Sequence, residues 1–239
     1  MWESTVDGRV LHFHLAGINN QNFIMRDDET GTWWQQVNGK AIDGPLKGRQ
    51  LKSVFHDEVS FTIWKRERPD GRVLKPDPNI VARNEYVPAD WEAHVGKMRV
   101  VDGSDVDQRL APRTLIVGIT VANKSRAYPF PALQKQSPII DVLGSTPVVL
   151  VLGDDHRSVR AFDRTVDGRR LEFFQKTEQG SATPQLMDVE TDSTWNFAGR
   201  AIAGPLAGRE LKKISVLEDY WFDWRSYHPD TSIYSLGPQ

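Results

Sequence analysis

The sequence predicts a mainly β fold, a β-rich α+β architecture in which two pseudo-repeated β modules with short helices pack around a strand-rich middle segment. Three observations predict it. A set of motifs recurs at the constant offset that separates Val6 from Val166. Asp-Gly dipeptides, which suit tight hairpin turns, stand ahead of alternating apolar residues in the first copy and recur in the second. One continuous apolar run, Pro147 to Leu152, has the length of a single strand buried on both faces.

The repeat is the firmest of the three. Val6-Asp7-Gly8-Arg9 recurs as Val166-Asp167-Gly168-Arg169, and Leu11/Phe13 as Leu171/Phe173. Gly39 to Arg49 recurs as Gly199 to Arg209, sharing Ala-Ile, then Gly-Pro-Leu and Gly-Arg. Trp64, Pro69 and Asp70 match Trp224, Pro229 and Asp230. Between these blocks Glu29-Thr30 and Trp34 match Glu190-Thr191 and Trp195 one residue out of step. The boundaries that follow are a first module over 1–76, a Pro- and charge-rich connector over 77–112, and a unit over 113–239 holding the middle strands and the second module.

Within the first module, Arg9 to Leu15 alternates, with Leu11, Phe13 and Leu15 on one face and His12 and His14 on the other. Thr32 to Val37 reads as a short aromatic strand. Gly-Pro-Leu-x-Gly-Arg reads as a turn, proline presetting φ and the glycines allowing conformations that other residues resist. Each module then ends in a helix. In the second copy Leu217, Trp221 and Trp224 share a face at i, i+4 and i+7, and His228-Pro229-Asp230 stops it before a returning strand over Thr231 to Tyr234. The connector from Lys75 to Arg109 carries Pro76, Pro78 and Pro88, with a short helix expected at Trp91 to Val95. In the middle segment, Leu115 to Val121 and Ser125 to Tyr128 read as a hairpin, Pro129 to Gln136 as a helical turn, and Ser158 to Phe162 as the strand returning from Pro147–Leu152.

Composition excludes several function classes. The 239 residues hold 30 Lys plus Arg against 32 Asp plus Glu, a net charge of −2, so there is no basic excess for nucleic acid or for an anionic membrane surface. No apolar run has the length of a membrane-crossing helix. With no cysteine, disulfides, thiol catalysis and Cys-ligated metals are excluded. No nucleophile elbow, zinc-protease, dinucleotide or EF-hand motif is present. The surplus is aromatic: eight Trp, five Tyr and ten Phe.

Arg126-Ala127-Tyr128-Pro129, Pro147-Val148-Val149, Phe162-Asp163-Arg164 and Val166-Asp167-Gly168-Arg169, with Thr32 to Gly39 and the Ala41-Ile42-x-Gly-Pro-Leu stretch, resemble the bacterial and archaeal "domain of unknown function 3179" family over nearly the whole chain. The resemblance implies a β-rich fold and an extracytoplasmic location, and no established activity. The start of the chain, without a basic n-region or an apolar h-region, would by itself read as cytoplasmic. Family members typically carry a Tyr-Cys-Pro-Leu-Cys-type stretch. Aligned here without gaps, its cysteines fall on Gly153 and His156, and the pair of the first repeat would precede Met1. Thiol or metal chemistry supported by those cysteines is therefore not expected in the same form: either the chain is a degenerate member kept for binding, or its start is truncated or internal.

The candidate residues are few. Asp154, Asp155 and His156 place two carboxylates and an imidazole on one strand-end loop, a set able to hold a divalent cation or move protons, or simply to close a polar turn. His12 and His14 share a strand face, better read as solvated. Arg49 and Arg209 in the repeated turns are better read as structural. Trp34/Trp195 and Trp64/Trp224 are matched across the repeat and expected in the core. Trp33 and Trp221, without tryptophan counterparts, are the candidate interface anchors. These features favour a non-catalytic binding or structural accessory protein with a protein partner and no cofactor, in a larger, membrane-associated assembly. The alternatives are a divalent-metal or redox protein at Asp154, Asp155 and His156, and a glycan-binding module using exposed tryptophans.

Overall fold

A computed structural model describes residues 1–19, 22–75, 77–79, 90–100, 107–176 and 185–236. It is strand-rich, as the alternation and turn chemistry require. The first module contains β1 (Thr5–Val6), β2 (Arg9–Val10), β3 (Phe13–Asn19), β4 (Asn22–Asp27), β5 (Trp33–Gln35), β6 (Lys40–Asp43) and helix α1 (Phe61–Glu67). Helix α2 (Trp91–Val95) is the short helix expected in the connector. Pro76 and Pro88 lie outside the described residues. The middle follows with β7 (Leu115–Val121), β8 (Lys124–Pro129), α3 (Phe130–Lys135), β9 (Ile139–Leu143), β10 (Thr146–Leu152) and β11 (Val159–Asp163). The second module has β12 (Thr165–Val166), β13 (Arg169–Arg170), β14 (Phe173–Lys176), β15 (Gln185–Asp188), β16 (Thr194–Trp195), β17 (Ala201–Ala203), β18 (Lys212–Ile214), β19 (Val216–Tyr220), α4 (Trp221–Tyr227) and β20 (Ser232–Ile233).

The repeat is visible in the topology. Each module is a four-stranded antiparallel meander, β3-β4-β5-β6 and β14-β15-β16-β17, entered through a small hairpin whose Asp-Gly turn takes positive φ (Asp7 49°, Gly8 78°; Asp167 49°, Gly168 77°). Two further sheets, β18-β11-β10-β9 and β19-β7-β8-β20, lie between and beside the modules. The apolar run of β10 is indeed buried on both faces. Val148, Leu150 and Leu152 pack with Val117, Ile119 and Leu133. Val149 and Val151 point the other way, into the core of the second module. That alternation is the pleat of a single strand serving two cores.

Each module core is built around one tryptophan, Trp34 or Trp195, both 0% exposed. Both indoles donate to a buried carboxylate, Trp34 Nε1 to Asp27 and Trp195 Nε1 to Asp188, at 2.8 Å. The same carboxylates accept from the backbone N–H and hydroxyl of Thr30 and of Thr191. The Gly-Pro-Leu turns hang on this knot, Leu46 N–H donating to Thr32 Oγ1 and Leu206 N–H to Ser193 Oγ. The arginine that closes each turn pairs with the aspartate of the hairpin, Arg49 with Asp7 and Arg209 with Asp167. The repeated turns are thus backbone fixtures of the module.

The helices cross between the halves. Helix α1, N-capped by Ser60, packs Ile63 against Gly153. Arg66 and Glu67 of α1 pair with Asp154 and Arg160 of the second half. Helix α4 lies over β7 and β8, where a side chain at Gly118 would overlap the Trp224 ring. Asp223 and Tyr227 of α4 reach back to the first module through Asn22 and Gln35.

Three local expectations change. The helix predicted from Leu217 begins only at Trp221, because Leu217 lies in β19, paired with Gly118. The i, i+4, i+7 pattern there spans a strand-to-helix junction. Trp221 is no exposed anchor: it is 1% exposed, donates to the Asp107 carbonyl, and lies under Arg109 at 5.2 Å. Asp107 and Arg109 thus cover Trp221. Trp64, expected in the core, is only half-buried and stacks on the exposed Phe61, the positional counterpart of Trp221.

Candidate functional site

The clearest feature beyond the core is an open groove of about 660 Å³ between the first module and the β7–β19 sheet edge with α4. The first module contributes Trp2, Phe13, Met25, Val37 and Leu51, and the opposite side contributes Gly118, Thr120, Leu217, Asp219, Asp223 and Trp224. The internal repeat explains why it stands open. In the second module Phe162, Phe173, Leu186 and Leu211 correspond to Trp2, Phe13, Met25 and Leu51, and there Val149 and Val151 of β10, with Ile140 of β9, close over them. Among the described residues the first core contains no counterpart of those three aliphatic residues. Phe173 and Leu186 are buried, whereas Phe13 and Met25 stay partly exposed.

Two carboxyls face this groove. Val216 to Asp219 of β19 all border the groove, and Val216 also joins the central core. After Tyr220 the chain turns helical, and Asp223 in the first turn of α4 comes beside Asp219. The two carboxyls hydrogen-bond to each other, and Asn22 Nδ2 donates to Asp223. Burial pushes both above the ordinary carboxylate range, and for Asp219 the Asp223 charge adds to it, with a smaller push from Glu58. The groove lining includes Asp219, Asp223 and Glu218 but no lysine or arginine. His56 and His228 also line it, and burial lowers the His228 pKa, its ring stacked 3.7 Å from that of Trp224.

The pair makes stability depend on pH. Unfolded, both carboxyls ionise near pH 4; folded, they keep protons to higher pH. Their stabilising contribution is therefore full below the unfolded value and is lost as pH rises through the folded values. The melting temperature is expected to fall between pH 5 and neutrality, and Asp219→Asn should flatten that slope. Thermal melts of both proteins across this range check it; an unchanged slope in the variant refutes the assignment.

The sequence pointed elsewhere. Asp154 is held by both terminal guanidinium nitrogens of Arg66, at 2.7 and 3.0 Å. Asp155 accepts from the Ser158 N–H and hydroxyl; burial opposes ionisation, but these bonds and one from Ser60 hold its pKa down to about 2. His156, exposed and at φ 54°, donates its backbone N–H to the Gly153 carbonyl. The three side chains do not converge, and among the described residues no group of three His, Cys, Asp or Glu side chains could hold a metal ion. Trp33 is half-buried on β5, with Arg26 over its ring at 5.9 Å, opposite in direction to Trp34. His12 and His14 pair with Glu29 and Asp28 on an exposed face.

Asp219 and Asp223 escaped sequence analysis, although a signal existed. Their counterparts one repeat earlier are Val59 and Ile63, and Ile63 is fully buried. An apolar-to-acid change at a core position of a repeat marks a site that packing alone does not explain.

Comparison with known proteins gives one result. A family model described as a protein of unknown function, DUF3179, matches residues 1–231. No curated protein and no solved structure matches the chain.

Proposed function

We propose, from the premise that this chain belongs to the DUF3179 family, that it is a non-catalytic binding protein, an accessory subunit that holds a protein partner in the groove of its first module. The observation that carries this reading is the asymmetry of the repeat. One module core is closed by Ile140, Val149 and Val151; in the other, Trp2, Phe13 and Met25 stay partly exposed along a groove of about 660 Å³. Apolar side chains left facing water in a groove are costly to keep, and such surfaces mark sites of association. Trp33 on the outer face of the same module offers a secondary contact. The family resemblance supports an extracytoplasmic, membrane-associated setting. Among the described residues no helix is long and apolar enough to cross a membrane.

Native mass spectrometry of the protein from its own source tests this, run beside a Thr120→Trp variant that fills the groove. The expected result is a partner of defined mass on the natural chain and its loss from the folded variant. A partner retained by the variant, or a lone chain carrying a stoichiometric metal, overturns the proposal.

A further inference from the structure

His12 and His14 stand on alternate residues of the chain entering β3, and Phe13 between them turns the other way, into the module core. Both imidazoles face water, the His12 side chain 75% exposed and the His14 side chain 51%. Each ring is held by a carboxylate from the turn after β4. His12 Nδ1 lies 2.6 Å from Glu29 Oε1, and His14 Nδ1 lies 2.8 Å from Asp28 Oδ1. An ionised carboxylate can only accept, so Nδ1 carries the proton in both rings. In a neutral imidazole that leaves the lone pair on Nε2, and neither Nε2 has a protein partner among the described residues. This is the tautomer in which histidine binds a metal ion through Nε2. A carboxylate on the other ring nitrogen fixes the ring and makes it a better ligand.

The repeat separates what the fold needs here from what it does not. Glu29 Oε2 accepts the His12 backbone N–H at 2.8 Å, and the Asp28 N–H donates to the His12 carbonyl at 2.9 Å. The second module keeps this scaffold: Glu190 accepts the Glu172 N–H, and the Val189 N–H donates to the Glu172 carbonyl. It carries Glu172 and Phe174 where the first module has the two histidines. The carboxylate that grips the backbone thus belongs to the module, and the imidazoles belong to one copy. Packing does not account for two side chains so exposed. The cation opposite His14 in register, Arg26, turns aside, its Nε donating to the Gly31 carbonyl and its guanidinium lying over the Trp33 ring. The charges bonded to the imidazoles are the two carboxylates.

We infer that His12 and His14 form a two-imidazole site for a divalent ion of the nickel, copper and zinc group, bound through both Nε2 atoms, with Asp28 and Glu29 as positioning residues. Imidazole suits these ions, whereas magnesium and calcium prefer oxygen. Two protein ligands fall short of a closed site, so water completes the coordination and the ion stays exchangeable. The site faces away from the groove that Phe13 lines and does not rest on the binding role proposed above.

The test is a titration of the full chain, stripped of metal by a chelator, with Zn²⁺, Cu²⁺ and Mg²⁺. Calorimetry reads affinity, and NMR of the imidazole C–H signals reads which rings respond to Zn²⁺. One equivalent of Zn²⁺ is expected to shift the His12 and His14 signals together and leave His156 in place. Cu²⁺ should bind more tightly than Zn²⁺, and Mg²⁺ should move neither ring. His12→Ala and His14→Ala should each weaken Zn²⁺ binding by about a hundredfold, since a linked pair of ligands is reduced to one. Asp28→Asn and Glu29→Gln should each weaken it by about tenfold while both rings still respond. Metal-free melts of these surface variants should match the natural chain, so that lost affinity is not lost folding. A Zn²⁺ shift confined to one ring, unchanged affinity in either histidine variant, or affinity lost in His156→Ala instead overturns the inference. Thr120→Trp keeps the two readings apart: it should lose the partner and keep the ion, and a variant that loses the ion while folded overturns the site on β3.

Discussion

Asp188→Ala is expected to destabilise the protein by about 3 kcal/mol or more, because it strands several buried donors at once. Asp188 is 0% exposed and accepts from Trp195 Nε1 and from the N–H and hydroxyl of Thr191. Without the carboxylate these donors face an apolar core, and the Ser193 hydroxyl, bonded to Thr191, loses the group that orders its partner. The melting temperature should drop by about 6–12 °C, measurable by calorimetry. Asp27→Ala should act alike in the first module, whose Trp34, Thr30 and Thr32 repeat the arrangement. For Asp27 the acid side can be followed as well. Burial works to raise its pKa, but the bonds from Trp34, Thr30 and Thr32 outweigh it and hold it below the ordinary value. Its contribution is present above the unfolded value near pH 4 and is lost as pH falls through the folded one. If Asp188→Ala melts within a degree or two of the natural chain, the carboxylate knot is not what secures the module.

Gly204→Ala should be comparably damaging, for reasons of backbone rather than hydrogen bonding. Gly204 sits at φ 90°, and a Cβ there would lie 2.6 Å from the Ser193 Cα. Left-handed backbone costs an alanine roughly 1–2 kcal/mol, and overpacking against main chain adds roughly 1–3 kcal/mol. Gly44 repeats the geometry, with φ 100° and the Thr32 Cα at 2.8 Å. Gly208, at φ 89°, has nothing within reach of a Cβ, so Gly208→Ala should show only the backbone part. Denaturant titrations of Gly204→Ala and Gly208→Ala separate the two contributions. Equal losses would mean that close packing on Ser193 is unimportant.

These two positions also show what was legible beforehand. The Gly-Pro-Leu-x-Gly-Arg turn could be found from sequence, because proline and glycine act on their own φ and need no distant partner. Its dependence on Asp188 could not, since Thr191, Ser193 and Leu206 meet only once strands β15 to β17 are in register. The partners of the Asp154-Asp155-His156 loop were hidden for the same reason. Its residue types suit a metal, but Arg66, far away in sequence on α1, takes Asp154, and the turn itself takes Asp155.

The sequence by itself determined the duplication, the β-rich class, the turns that open each module and the strand of β10 buried on two faces. These follow from local backbone preference and from a side-chain period of two, both readable within a few residues. Only the tertiary structure decided that Trp221 is covered by Asp107 and Arg109, that Asp219 and Asp223 meet across a strand-to-helix junction beside Asn22, and that one of two matching cores is left partly exposed. Each of those depends on which distant surface closes over a residue. Burial, and with it the behaviour of a carboxyl or an indole, is a property of that closure and not of the residue's neighbours along the chain.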